Sequence, residues 1–169
     1  RLVWRSAARP ETTALDGIAP LANSALPVVT LAALAALAGR QLWACVALGA
    51  AAGPLAMVGY YGTSVLRGFG ASSSSLLLWV TAGLVAGSAM GAAVWAMRRP
   101  REEAPSMLLR GLAVGFWPGI ALGEAAHGLT RIADTTPTAY WWAQAILAVV
   151  VLGVLMSTQQ QQTGHSQAE

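Results

Sequence analysis

Five apolar stretches of about twenty residues each constrain the fold of this chain more than any motif does. A helix of about 20 apolar residues crosses the ~30 Å hydrocarbon core of a bilayer, and it satisfies its own backbone polar groups there. The pattern therefore predicts an all-α transmembrane helical bundle of about five helices over residues 17–156. The stretches cover roughly residues 18–38, 42–61, 76–97, 107–126 and 140–156.

The scarcity of charge supports the same class. Charged residues make up 10% of the chain and hydrophobic residues 56%, whereas a soluble domain is about 25% charged. The ten basic residues are all arginine, and they are scattered or lie in one loop. Nucleic-acid binding would need a basic stripe with stacking aromatic residues. We therefore expect the lipid bilayer as a partner, and no nucleic acid.

Prolines inside three of the stretches predict kinked helices. Pro27, Pro54 and Pro118 each remove a backbone donor, and proline inside a helix kinks it. For the first stretch, an irregular segment up to Pro27 followed by a shorter helix is the alternative.

The two ends of the chain are polar. Residues 1–16 form a polar lead-in without a signal peptide, and the chain begins with Arg1. We expect a truncated start that lacks an upstream helix. Residues 157–169 are rich in glutamine, which predicts a disordered tail. The densest arginine cluster lies in the loop of residues 98–105, and the positive-inside rule then places this loop and the tail in the cytoplasm.

Two series of glycines in steps of four indicate close helix packing. Small residues at this spacing let helix backbones approach each other in lipid. We expect the two series, on consecutive helices, to pack against each other; the alternative is that one of them docks a second subunit, either another copy or a different membrane protein. The series are Gly83, Gly87 and Gly91, and Gly111, Gly115, Gly119 and Gly123.

Glu124, His127 and Arg131 are the strongest candidates for chemistry. Positions i, i+3 and i+7 share a helix face, and an ionisable residue inside a membrane protein is a functional hypothesis by default. Glu124 and His127 are therefore candidate catalytic residues, and Asn23, Glu124 and Arg131 are candidate substrate-binding residues. The alternative is that Glu124 and His127 end the helix at the membrane interface.

No established catalytic or metal motif is present. The chain has no HExxH, GxSxG or phosphate-binding loop. One usable histidine and a lone Cys45 are too few ligands for a metal. We predict no metal and no cofactor. The chain is then most readily a non-enzymatic membrane component, a small permease or an accessory subunit. The alternative is an intramembrane enzyme or a proton-coupled site that uses Glu124 and His127.

Four short stretches resemble an uncharacterised family of small multi-pass membrane proteins from GC-rich bacteria, catalogued as a domain of unknown function. The resemblance covers about residues 16–155 and implies location in the bacterial cytoplasmic membrane. It implies no activity. Family members carry a further hydrophobic segment before the Asn-Ser stretch; Glu124 matches an acidic position, and His127 matches none. The stretches are residues 20–25, 59–61, 79–91 and 119–124.

Overall fold

The fold is all-α, as the sequence predicts. The structure, a computed structural model, describes residues 24–66, 68, 72–99, 106–132 and 138–166. Within these residues it contains five α-helices, one π-helical turn and no strand. The helices are α1 (Ala25–Ala36), α2 (Leu42–Leu66), α3 (Ser73–Arg98), α4 (Met107–His127) and α5 (Thr138–Ser166), and Gly128–Ile132 forms the π-helical turn.

Helix α1 is shorter than the first apolar stretch. Ser24 is extended (φ −101°, ψ 144°), and its Oγ accepts the Leu26 N–H at 3.1 Å, which is the geometry of a helix N-cap. Pro27 therefore lies in the first turn, where its missing N–H would have no partner within the helix. The prediction that Pro27 kinks a longer helix is wrong, and the alternative of a shorter helix fits. Residues 18–23 lie outside the described part of the chain.

The C-terminal segment is helical where the sequence predicts disorder. Helix α5 continues to Ser166, ten residues beyond the apolar stretch that ends near Met156. Glutamine is a good helix former, and extending an existing helix avoids the cost of nucleation. The polar composition therefore does not end this helix. Residues 167–169 lie outside the described part.

Glycines hold α2 and α3 together, and these two helices make the most extensive contact of the bundle. A β-carbon at Gly49 would overlap the carbonyl of Gly87, and one at Gly53 would overlap the carbonyl of Gly83. One turn further, a β-carbon at Gly91 would overlap the backbone of Cys45. Each step of four along α2 thus meets a step of four in the opposite direction along α3. The helices are antiparallel, with backbones in contact.

This arrangement corrects the predicted partner of the first glycine series. Gly83, Gly87 and Gly91 face α2 and not the glycines of α4. A β-carbon built at any of the four α4 glycines, Gly111 to Gly123, meets no atom within 4 Å among the described residues. From chain connectivity alone, the glycines of α3 could pack against α2 or against α4, because short connections join α3 to both helices. The complementary glycines of α2 allow the closer approach.

Helix α1 lies at the centre of the bundle and contacts α2, α3 and α4. Val29, Ala32 and Ala36 are fully buried there, packed with Cys45 and Met90. Helix α5 packs mainly on α4. One face of α1 is therefore buried against longer helices, and its opposite face, with Leu31 and Leu34, is exposed.

Among the described helices, three are long and apolar enough to cross a membrane. They are α2, α3 and residues Thr138–Thr158 of α5. Helix α1 has 12 residues, about 18 Å. Helix α4 has 21 residues but is less apolar, since it carries Arg110 and Glu124. The sequence predicts five membrane-crossing helices. In the described structure, three helices each have the length and composition to cross a membrane.

Candidate functional site

The Glu124 carboxylate lies at the start of α1, where the N-terminal backbone of that helix needs acceptors. The Ala25 N–H donates to Glu124 Oε1, and the Ser24 hydroxyl donates to Oε2 at 2.5 Å. Ser24 Oγ also accepts the Leu26 N–H. Glu124 thus caps a helix that begins 99 residues earlier in the chain. A carboxylate here also interacts favourably with the positive end of the helix dipole.

Gln144 of α5 joins the same carboxylate. Its Nε2 donates to Glu124 Oε2 at 3.0 Å and to the Ala121 carbonyl at 3.2 Å. Both partners are acceptors, so the amide nitrogen must face them and the oxygen must point away. The Glu124 carboxylate therefore links α1, α4 and α5. Gln144 is 7% exposed, and its Oε1 has no hydrogen-bond partner within the described residues.

Two aromatic residues at the start of α5 complete the polar cluster. The Tyr140 hydroxyl is buried beside Ser24 and Glu124, without a hydrogen bond of normal geometry to any described residue. The indole N–H of Trp141 is also buried without an acceptor in that part of the chain. Gly128 lies against the Trp141 ring so closely that a β-carbon would overlap the indole. We call Ser24, Glu124, Tyr140, Trp141 and Gln144 the Glu124 cluster.

The other predicted site residues are His127, Arg131 and Asn23, and of these the structure describes only the side chain of His127. His127 is exposed at the end of α4, whereas Glu124 is half-buried. The backbone of Arg131 belongs to the π-helical turn, where the i, i+7 spacing of an α-helix no longer applies; its side chain is outside the described residues, as is Asn23. No three His, Cys, Asp or Glu residues come together in the described part of the chain. His127 does not share the burial of Glu124, and the pairing of these two side chains stays a prediction.

Ser24, Tyr140 and Gln144 are the partners that sequence reasoning did not assign. Gln144 carries the only amide side chain in the last apolar stretch. A polar side chain there needs a partner on a neighbouring helix. The lone glutamine could therefore have predicted a hydrogen bond between helices. Ser24 directly precedes a helix, which is the position of an N-cap. No local pattern connects either residue to Glu124.

The arrangement acts chemically as a hydrogen-bond anchor. Three donors occupy the carboxylate, and within the described residues no histidine reaches it. The remaining hydrogen-bonding capacity of the Glu124 cluster lies in the unpartnered polar atoms of Tyr140, Trp141 and Gln144. Each of these atoms has hydrogen-bonding capacity that no described residue uses.

Comparison with known proteins agrees with the resemblance of the sequence motifs. No curated protein and no solved structure is significantly similar to the chain. A family of unknown function, DUF6518, matches residues 13–167, and the chain therefore belongs to this family.

Proposed function

We propose that the protein is a non-enzymatic membrane component that associates with a second copy of itself through the outer face of α4. The observation that carries this proposal is the open glycine series of that helix. At Gly111, Gly115, Gly119 and Gly123, no atom of the described residues lies within 4 Å of where a β-carbon would be. The glycines of α3, at the same spacing, are already covered by α2.

The position of the series supports an interface in lipid. The opposite face of α4 is buried through Ala113, Val114 and Ala121, so the glycine face points away from the bundle. Leu108 and Leu112, on the same side, are 73% and 60% exposed. In lipid, association depends on close packing, and small residues in steps of four provide it.

A second copy is the partner that fits the series best. Two α4 helices related by a twofold axis would each present the same small-residue surface to the other. Closed twofold dimers, with one self-complementary patch, are the commonest oligomers. A different membrane protein with a small-residue helix is the competing partner.

The use of Glu124 supports a non-enzymatic role. The carboxylate receives hydrogen bonds from α1 and α5, and these bonds hold three helices together. A general acid or base needs free access to a proton on the substrate. Glu124 is instead occupied by structural donors.

Self-association is tested by measuring energy transfer between labelled copies in liposomes at decreasing protein-to-lipid ratio. Gly115→Leu should weaken the dimer at least tenfold, ~1.4 kcal/mol, because the added side chain holds the helices apart. Gly153→Leu on α5 is the matched control, since its β-carbon also meets open space and should leave the dimer unchanged. A wild-type protein that stays monomeric at every ratio overturns self-association. A different membrane protein that co-purifies with wild type and not with Gly115→Leu replaces the second copy as the partner.

The unpartnered atoms of the Glu124 cluster favour a second candidate, a small polar ligand or proton-coupled site. Tyr140, Trp141 and Gln144 each leave one buried polar atom without a partner among the described residues. Such orphaned groups cost free energy unless something pairs with them. Tyr140→Phe removes one of them. If no ligand binds, thermal stability should stay equal or rise; if the hydroxyl holds a ligand, stability should fall and the loss should depend on ligand concentration.

We also place the arginine end of the bundle on the cytoplasmic side of a bacterial cytoplasmic membrane. Arg40, Arg98, Arg99 and Arg110 lie near one end of the helices, and the positive-inside rule favours the cytoplasm for that end. Helix α5 runs antiparallel to α4, since Gln144 near its start contacts Ala121 near the end of α4. A C-terminal fluorescent-protein fusion should therefore fluoresce, and a C-terminal alkaline phosphatase fusion should be inactive. The reverse pair of results would invert the topology.

A further inference from the structure

A cavity opens at the arginine end of the bundle, where α1 and α3 end and α2 begins. Its volume is about 270 Å³. Half of the residues that line it are arginines, and none is acidic. The lining residues are Gly39, Arg40, Cys45, Trp95, Arg98 and Arg99.

The fold holds two of these arginines in defined positions. Arg98 Nη1 donates to the carbonyls of Leu37 and Gly39, at 2.8 Å each. The Arg99 guanidinium lies 5.1 Å from the centre of the Trp95 ring, within the range of a cation–π interaction. Cations whose positions are set before binding lose less entropy when they bind an anion.

The start of α2 adds positive potential to the cavity. Gly39 and Arg40 lie two to three residues before this 25-residue helix, which begins at Leu42 after Gln41, and its first turn contains no acidic residue. The first backbone N–H groups of a helix lack partners within it, and the helix dipole is positive there. Anions bind readily at such a position. Here the helix start and the arginines act on the same cavity.

Two buried donors at this end lack an acceptor within the described residues. They are Nε1 of Trp95, which lines the cavity, and Nε of Arg110. Arg110 is 7% exposed and donates through Nη2 to the Arg99 carbonyl at 3.2 Å. A donor-rich region with orphaned N–H groups needs an acceptor, and an anion supplies several.

Among the described residues, no acidic side chain lies at this end. Glu124 is the one carboxylate in the described part of the chain, and it is bound at the opposite end of α1. Glu102 and Glu103 lie in the loop after α3, outside the described residues. Four arginines of the described part lie at this end, and the undescribed loop adds Arg101 to these two glutamates in sequence, so arginines outnumber acids; the four are Arg40, Arg98, Arg99 and Arg110.

We propose that the cavity binds a phosphate-bearing anion, from the headgroup of an anionic phospholipid or as free phosphate. Guanidinium groups match the geometry of phosphate oxygens, and basic pockets between transmembrane helices bind anionic headgroups. A volume of about 270 Å³ exceeds that of one water, ~30 Å³, several-fold, so this half-open cavity has room for a phosphate group.

The test measures binding to the purified full chain. Native mass spectrometry counts lipids retained from phosphatidylglycerol and from phosphatidylcholine, and thermal shifts follow titration with inorganic phosphate in a neutral detergent. We expect phosphatidylglycerol to bind at least tenfold more tightly than phosphatidylcholine. Saturable binding of inorganic phosphate that displaces the lipid would identify free phosphate as a second source of the same chemistry.

Matched variants locate the binding in the cavity. Arg40→Gln removes a cation and should weaken binding ~5-fold, the effect of one basic residue near anionic lipid. Trp95→Phe removes one neutral hydrogen-bond donor and should weaken binding at least ~2-fold. The controls are Trp79→Phe, near the start of α3 and therefore at the other end of that helix, and Arg67→Gln, which directly follows α2 in the sequence; neither should change binding. Arg40 is exposed, so its substitution leaves the core intact. Equal binding of the two lipids with no response to phosphate overturns the proposal, and so does an equal loss in the control variants.

Discussion

Replacing Gly87 by alanine separates the packing role of this glycine from its helix propensity. On propensity alone, alanine should stabilise α3 by up to ~1 kcal/mol. In the structure, the new β-carbon would overlap the carbonyl oxygen of Gly49. That oxygen belongs to the backbone of α2 and cannot rotate away as a side chain could. The two helices must therefore move apart, and their close contact along Gly53 and Gly83 is loosened as well.

The expected size follows from these opposing terms. Overpacking a well-packed contact costs ~1–3 kcal/mol, and the gain in propensity offsets up to ~1 kcal/mol of it. We expect Gly87→Ala to be destabilising by ~1–2 kcal/mol. Gly119→Ala on the open face of α4 meets no atom within 4 Å and should stabilise the monomer by ~0.5–1 kcal/mol. Gly→Ala is thus expected to lower stability at Gly87 and to raise it at Gly119, although both glycines belong to series with the same spacing.

Cys45 provides the assay without a further label. It is the only cysteine in the sequence, it is 1% exposed, and its backbone contacts Gly91 in the α2–α3 contact. Its alkylation by a small maleimide, measured while SDS replaces a mild detergent, reports the opening of these two helices. Gly153→Ala on α5 is the control for propensity in an open position. If Gly87→Ala protects Cys45 as well as wild type does, or better, the backbone contact is not what holds α2 and α3 together.

Three further predictions concern side chains that bridge helices, and each is measured as a shift in the SDS or thermal midpoint. Glu124→Ala should lower the free energy of unfolding by ~3 kcal/mol because it removes three hydrogen bonds to the carboxylate. Glu124→Gln keeps one acceptor oxygen and should lower it about half as much. Equal effects of the two variants would contradict the capping role. Arg98→Gln should cost ~1–3 kcal/mol through the two carbonyls at the end of α1, and an unchanged midpoint would show that these bonds contribute nothing. Gly128→Ala should cost ~1–3 kcal/mol by overlap with the Trp141 indole, and adding Trp141→Leu should recover most of that loss.

The helical class was predictable because it depends on composition and segment length alone. The end of the apolar pattern at Met156 did not predict the end of α5, since polar glutamines continue a helix that the bilayer no longer requires. Pro27 shows the same limit at the other end of the chain. A proline is compatible with the first turn of a helix and disfavoured in the middle, and the sequence left both positions open.

Helix pairing was predictable only in part. Glycines in steps of four identify a surface that can approach another backbone, but they do not identify the partner. Gly87 could face α2 or α4 by chain connectivity, and the matching glycines Gly49 and Gly53 decide for α2. The partners of Glu124 were less accessible still. Ser24 lies 100 residues away in sequence, and only the packed bundle brings it to the carboxylate.

Glu124 and Arg98, two charged residues in a largely apolar chain, bind opposite ends of α1. Glu124 accepts from the first backbone N–H of that helix, and Arg98 donates to the carbonyls that follow its last turn. Each charge has the sign that the helix dipole favours at its end. At about 18 Å, α1 is too short to span a ~30 Å core, so with its Arg98 end at the headgroups its other end lies inside the core. Its terminal groups would then be costly to leave unpaired, because lipid offers no hydrogen bonds. The charges of α3 and α4 supply those bonds, and this requirement explains a Glu and an Arg in so apolar a chain without invoking catalysis.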